Sequence, residues 1–298
     1  MRIERVGIIG LGEVGRILAE DLLEQSGVEV RVWDHQFGTP DSIPVVNLQG
    51  LASNPALCAA GNATGAAAGC QLIISAVTAD QALAAAESIL PGLESAACFI
   101  DLNSVSPGTK QDISTVVERA GGRFVEASVM SPIMPLRSNA PILLCGPHAS
   151  GLESDCRELG FGDVRAVSDN LGVASATKMC RCVIVKGMEA LVTESLLAAR
   201  YYGVEDSVLT SLENLFPRPD WPEHARYLIS RSLQHGARRA AEMREVGKTV
   251  EEAGFSPWMS EGAVARQAWA PQFDSALSES SLAGVLDAIR NQLTSNEN

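Results

Sequence analysis

The chain has 298 residues, 46% of them hydrophobic, and its 36 Asp+Glu outnumber 23 Lys+Arg for a formal net charge of −13. That length suits about two domains with cores of their own and excludes a disordered or fibrous protein. An acidic chain with no Lys/Arg run lacks the basic surface that nucleic acid or an anionic membrane requires, so neither is expected as a partner.

Seven cysteines, an odd number scattered through apolar segments, do not make a disulfide scaffold in a chain this long, and a reducing, cytoplasmic setting is expected. The opening run MRIERVGIIGLG places only a short apolar stretch before a glycine turn, with no small-residue cleavage pattern, so no export signal is expected. No uncharged apolar stretch approaches the roughly 18–20 residues of a membrane span.

Along the first half, short β-branched runs alternate with Ala-rich helical stretches, the pattern of a parallel sheet with helical crossovers. Strands are predicted at about 4–10, 29–33, 72–77, 97–101, 123–127 and 141–145, with a further one near 163–167, and helices over 79–90 and 107–120. After Asp169 the texture changes, and apolar residues recur at spacings of three and four. Ala174, Met179, Val183, Met188, Leu191, Val192, Leu196 and Ala199 form such a stripe and predict a helix of about 30 residues, followed by a second over about 222–253. Gly203, the stretch Phe216 to Pro222 and Gly254 punctuate these helices. The expected fold is α/β, a Rossmann-type doubly wound, mostly parallel sheet over 1–168, then an all-α substrate and dimerisation domain over 169–298.

The run Gly10-Leu11-Gly12-Glu13-Val14-Gly15 places G-x-G-x-x-G directly after the first strand and before a helix. In that motif the first glycine makes the tight turn, the second lets the backbone approach a pyrophosphate, and the third lets helix and strand pack closely. Free N–H groups near Glu13 and Val14 at the helix start then face the phosphates. A second strand ends in Asp34, 19 residues after Gly15, where a carboxylate accepts hydrogen bonds from an adenosine ribose. Its charge repels the 2′-phosphate of NADP and no arginine follows it, so NAD is the expected cofactor and NADP the lesser candidate. His35 reads as an exposed loop residue or as a phosphate contact when protonated. Val77 and Thr78, at the end of the strand over 72–77, and Asn103 are assigned to the same cofactor site.

Taken with the loop Asp101-Leu102-Asn103-Ser104-Val105-Ser106-Pro107 and with Lys178 opening a long helix, this motif resembles the β-hydroxyacid dehydrogenase superfamily, and within it an uncharacterised phosphogluconate-dehydrogenase-like branch. Relatives include 3-hydroxyisobutyrate dehydrogenase and the NAD-binding part of 6-phosphogluconate dehydrogenase. The resemblance implies an NAD-dependent oxidoreductase that interconverts a hydroxyl and a carbonyl on a small, carboxylate-bearing substrate, with Lys178 as general acid/base, and it implies a homodimer. Asn103 and Ser104 stand at the family's serine and threonine, where they orient substrate or simply form a capped turn into the helix at Pro107. Ser131 falls in the next family motif, where Pro132 removes a backbone donor, and Cys182 replaces the family asparagine four residues after the lysine.

A lysine at its ordinary pKa near 10.4 is a poor base at neutral pH, whereas desolvation in a closed cleft and the neighbouring Arg181 would both lower it. On a helix Ser175, Lys178, Arg181 and Cys182 share a face. His235, Arg238 and Arg239 share another, as anchors for an acidic substrate or as solvated charge, and Arg137 is a similar candidate. Cys180 and Cys182 form a bare C-x-C and read as buried thiols, so no metal site is expected. Two alternatives stay open: an imine reductase of the same superfamily, in which the lysine position usually holds Asp or Tyr, and a non-catalytic NAD-binding sensor.

Overall fold

A computed structural model describes residues 3–212, 220–254 and 256–296. Of the predicted punctuation between the long helices, Phe216 to Pro219 lie outside the described residues. Among the described residues eight strands form a sheet: β1 (Arg5–Ile9), β2 (Glu29–Trp33), β3 (Leu57–Ala59), β4 (Leu72–Ser75), β5 (Cys98–Asp101), β6 (Arg123–Val129), β7 (Ile142–Cys145) and β8 (Val164–Ser168), in the order β3-β2-β1-β4-β5-β6-β7-β8. Between them run α1 (Glu13–Leu23), α2 (Ile43–Leu51), α3 (Ala63–Ala67), α4 (Ala82–Ile89), α5 (Pro107–Arg119) and α6 (Ala149–Glu158). The remaining helices are α7 (Val173–Tyr202), α8 (Glu205–Leu212), α9 (Trp221–Glu252), α10 (Trp258–Trp269) and α11 (Leu282–Asn296). The chain divides inside α7 into two compact units, Met1–Met179 and Cys180–Asn298.

In the first unit the central strands are apolar at nearly every position because both sheet faces are covered. Val6 and Ile8 join Ile17, Leu18, Leu22 and Leu152 on one face, and Ile9, Ile73 and Phe99 join Ala66, Ala86, Ile113 and Val117 on the other. Such two-sided burial is the doubly wound arrangement expected from the sequence.

Three features were not legible there. Edge strand β3 has three residues, two of them exposed, too few for an apolar pattern. Helix α2 follows Ser42 and has a proline in its first turn, which suits a helix start even though the following residues are β-branched. Strand β7 pairs antiparallel with β6. Between those strands only a short 3-10 turn, Arg137–Asn139, intervenes, so no α-helical crossover returns the chain for parallel pairing. Arg137, read as a substrate anchor or as solvated charge, instead ties this connection to α1: its Nε donates to Asp21 Oδ1 at 2.8 Å and its Nη2 to Glu20 Oε2 at 2.9 Å.

The second unit is helical among its described residues. Leu196, Leu209, Ile229, Leu233, Phe273, Leu286 and Ile289 form its core. Helices α9 and α10 approach so closely at Gly236 that a Cβ there would lie 2.2 Å from the Gln267 carbonyl oxygen. No described helix is long and apolar enough to cross a membrane.

Burial pushes the thiols of Cys70 and Cys145 up to about 11 and that of Cys156 up to about 12. Unfolded thiols ionise near about 8.5, so above that pH the unfolded chain releases protons that the folded chain keeps, and stability falls as pH rises toward the folded values. The thermal midpoint is therefore expected to drop between about pH 8 and pH 10.5, and to drop less steeply in Cys156→Ser, which removes one of the linked groups. An equal slope in both proteins would contradict the linkage.

Candidate functional site

The sheet order reverses direction on either side of β1 and β4, and the turns that leave the carboxyl ends of those two strands flank a crevice of the kind that binds ligands in open α/β sheets. On the β1 side, Gly10 has φ +94°, and a Cβ there would come within 2.4 Å of the Ala76 carbonyl oxygen, so the turn tolerates only glycine. A Cβ on Gly15 would lie 1.9 Å from the Gly10 carbonyl oxygen, which fixes how closely α1 packs on the turn. Gly12 differs from both. Its φ is −71°, an added Cβ would meet nothing within 4 Å, and no side chain caps the helix start behind it. Glu13 is exposed and Val14 half-buried at that helix start, whereas Leu11 is buried. Open space before uncapped N–H groups fits a pyrophosphate.

Asp34 sits at the end of β2, 7% exposed. Its Oδ2 accepts from the Leu11 N–H at 2.8 Å and its Oδ1 from the Gln36 N–H at 2.9 Å, so the carboxylate is fixed against the glycine turn. His35 Nδ1 lies 3.4 Å from Asp34 Oδ1, and its side chain is largely exposed. A residue that sequence reasoning missed, Asn47 on α2, donates to the Leu11 carbonyl at 2.8 Å and holds the turn from outside. No local signal marks it, because α2 itself was not predicted.

On the β4 side a buried polar chain stands behind Val77. The Val77 N–H donates to Asn103 Oδ1 at 2.7 Å, and Asn103 Nδ2 donates to Ser75 Oγ at 2.8 Å and to Asp101 Oδ1. Lys110, fully buried on α5, donates to Asp101 Oδ2 at 2.6 Å, to the Asp101 carbonyl at 2.7 Å and to the Ala127 carbonyl at 3.1 Å. Burial pushes the Asp101 carboxyl above its ordinary value, and the Lys110 ammonium opposes that rise. Asn103 thus turns its amide into the sheet, while Ser104 is half-buried and Thr78 exposed. The capped turn expected before Pro107 is formed by Ser106, whose Oγ accepts from the Thr109 N–H at 3.1 Å.

The start of α7 is built against the same loops. Buried Glu126 on β6, in register with Asp101 on β5, accepts from the Ser175 N–H at 2.6 Å and from the Gly172 N–H, so its charge caps the positive end of the helix. A Cβ on Gly172 would lie 3.3 Å from Pro107 Cβ, which sets the first turn of α7 beside the loop from Asp101 to Pro107. Lys178 follows one turn later and is half-buried. Glu126 was not singled out in the sequence, since an acid inside an apolar strand has no partner visible nearby in the chain. Ser131 is half-buried and donates its hydroxyl to the Pro132 carbonyl at 3.0 Å.

In the second unit, Arg181 is exposed and Cys182 is buried, with the Lys186 ammonium 3.1 Å from its Sγ. Lys186 pairs with Glu242, which also receives Arg238 at 3.3 Å. Arg239, read with His235 and Arg238 as one charged face, is buried and paired with Glu189, and burial lowers its pKa. His235 is half-buried. The face divides because α9 turns Arg239 inward while Arg238 stays exposed.

Comparison with known proteins agrees with this geometry. Residues 5–149 match the NAD binding domain of 6-phosphogluconate dehydrogenase, and residues 199–270 match a domain of unknown function. A conserved hypothetical protein from Sinorhizobium meliloti 1021 is 32% identical, with 96% of this chain and 95% of that one covered at a TM-score of 0.73. The 3-hydroxyisobutyrate dehydrogenase of Mycobacterium tuberculosis, solved with L-serine, shares the fold at 16% identity and a TM-score of 0.69, with 97% and 100% covered. The cytokine-like nuclear factor N-PAC of Pongo abelii is 26% identical over 71% of this chain, a match that spans only 37% of N-PAC. A glycine turn and fixed carboxylate at the switch point of a doubly wound sheet, with the match of residues 5–149 to the NAD binding domain of 6-phosphogluconate dehydrogenase, place the chain in the β-hydroxyacid dehydrogenase superfamily.

Proposed function

We propose that the protein is an NAD-dependent oxidoreductase that interconverts a hydroxyl and a carbonyl on a small, polar, carboxylate-bearing substrate. The observation that carries this reading is the turn at Gly12: no contact within the protein requires glycine there, and the helix behind it has no side-chain cap. A ligand with a pyrophosphate accounts for both. Asp34 favours NAD over NADP, because its carboxylate is held in place by two backbone N–H groups and a 2′-phosphate would meet a fixed negative charge.

The dinucleotide, when bound, supplies or accepts the hydride. Lys178 gives the hydroxyl proton to the substrate oxygen in reduction or takes it in oxidation, from a helix whose start Glu126 holds in place. The loop from Asp101 to Pro107, against which that helix begins, orients the substrate through Ser104. The superfamily relative solved with L-serine, a small hydroxylated amino acid, is in keeping with this substrate class. Exposed Ile184, Leu191, Tyr201 and Tyr227 on the second unit support a homodimer, which light scattering would contradict with a mass near that of one chain.

The test is oxidation of NADH, followed by absorbance, against small aldehydes, keto acids and cyclic imines, with NADPH in parallel. Turnover of a carbonyl compound with NADH preferred is expected. Turnover confined to imines would overturn the hydroxyl–carbonyl assignment, and a preference for NADPH would overturn the role given to Asp34.

A further inference from the structure

We propose that Lys110 is a positioning residue for the dinucleotide crevice, acting through Asp101 and Asn103 on the backbone N–H of Val77. The proposal rests on the crevice being a dinucleotide site, as argued above. Lys110 is fully buried and uses all three ammonium donors, on Asp101 Oδ2, the Asp101 carbonyl and the Ala127 carbonyl. Those bonds join the end of β5 and the body of β6 to α5. Asp101 then fixes the amide of Asn103 in one orientation, with nitrogen toward the carboxylate and Ser75 and oxygen toward Val77. Val77 in turn backs the glycine turn: a Cβ on Gly10 would lie 2.8 Å from Val77 Cγ1. Lys110, Asp101, Asn103 and Ser75 are all buried and each polar atom named has a partner, so the network holds the β4 wall of the crevice at a set distance from the β1 wall.

Stability does not account for this arrangement. Taking an ammonium and a carboxylate fully out of water is costly, and well-packed apolar residues of similar volume often serve as well or better. A methionine would fill the Lys110 site on α5. What it would not do is orient Asp101, and through it Asn103 and Val77.

The test is the charge-neutral double variant Asp101→Asn/Lys110→Met, which avoids stranding either charge. Measured quantities are the dissociation constant for NADH by fluorescence, the thermal midpoint, and amide exchange at Val77. Expected are a thermal midpoint close to that of the unaltered protein, faster exchange at Val77, and NADH binding weaker by roughly tenfold. Ile113→Val, a core change elsewhere on α5, serves as the control and is expected to lower the midpoint while leaving NADH binding unchanged. If the double variant does not accumulate as folded protein, Asn103→Ala takes its place, since it keeps the Lys110–Asp101 pair and removes the bond to Val77; weaker NADH binding and faster Val77 exchange are again expected, with a lower midpoint because Ser75 and Asp101 lose a partner. A folded variant that binds NADH as tightly as the unaltered protein and keeps Val77 protected overturns the inference alone. Failure of the unaltered protein to bind NADH or NADPH overturns the dinucleotide reading and the inference with it.

Discussion

Lys178→Ala is expected to lower turnover by about 10²- to 10⁴-fold, the usual contribution of a positioned general acid/base, while leaving NADH binding within about twofold. Two groups define where this lysine stands. Glu126 accepts from the Ser175 N–H at 2.6 Å and fixes the first turn of α7, and the approach of Gly172 to Pro107 sets that turn beside the substrate loop. With one helical turn between Ser175 and Lys178, the placement of the ammonium follows from the placement of the helix start. Lys178→Arg is expected not to restore turnover, because a guanidinium holds its proton across the accessible pH range and cannot cycle it. The pH profile of kcat/KM in the unaltered protein should carry a limb that is missing from the alanine variant. Retained turnover in Lys178→Ala would remove the acid/base role. A protein that binds NADH, turns over no carbonyl compound or imine and responds identically with and without Lys178 would instead be an NAD-binding sensor.

What the sequence made legible is what depends on near neighbours in the chain. Gly10, Gly12 and Gly15 act within one turn, and Asp34 stands at a distance set by a helix and a strand of ordinary length, so their pattern is readable before any packing is known. Lys110 was not readable. In the polar stretch Pro107-Gly108-Thr109-Lys110-Gln111-Asp112 it reads as a solvated helix residue, and only the arrival of Asp101 and the Ala127 carbonyl makes its site charged and dry. Asn103 illustrates the same limit from the other side. Its candidate status came from the motif, but the partner of its amide oxygen, Val77, lies 26 residues earlier in the chain. Arg137 and Arg239 read as substrate anchors or as solvated charge, and each is instead engaged by acids from distant helices, Glu20 and Asp21 in one case and Glu189 in the other. Spacing predicts which residues share a helix face; it does not predict which face meets a carboxylate. The reversed strand β7 belongs to the same class, since its direction depends on a connection without an α-helix rather than on the composition of the strand itself.

Gly12→Ala and Gly15→Ala are expected to fail in opposite ways, and the contrast separates a ligand requirement from a folding requirement. At Gly15 an added methyl would sit 1.9 Å from the Gly10 carbonyl oxygen, in backbone that is itself pinned by the Gly10 approach to Ala76. Neither side can yield without moving α1 off β1, so the cost should exceed the ~1–3 kcal/mol of ordinary overpacking. Loss of folded protein, or a large drop in thermal midpoint, is the expected result. At Gly12 the backbone lies at φ −71°, which any residue adopts, and the methyl would enter open space. The variant should therefore fold, with no more than the loss of about 1 kcal/mol that alanine costs at a helix N-cap. Binding of NADH should nonetheless weaken by at least about tenfold, or ~1.4 kcal/mol, since the methyl occupies the approach of the pyrophosphate to the uncapped N–H groups of α1. Calorimetry and a fluorescence titration on the two variants read both quantities. If Gly12→Ala folds and binds NADH normally, the open space before α1 is not where the phosphates lie. The glycine turn would then serve only the packing of α1 on β1, the role that Gly10 and Gly15 already explain.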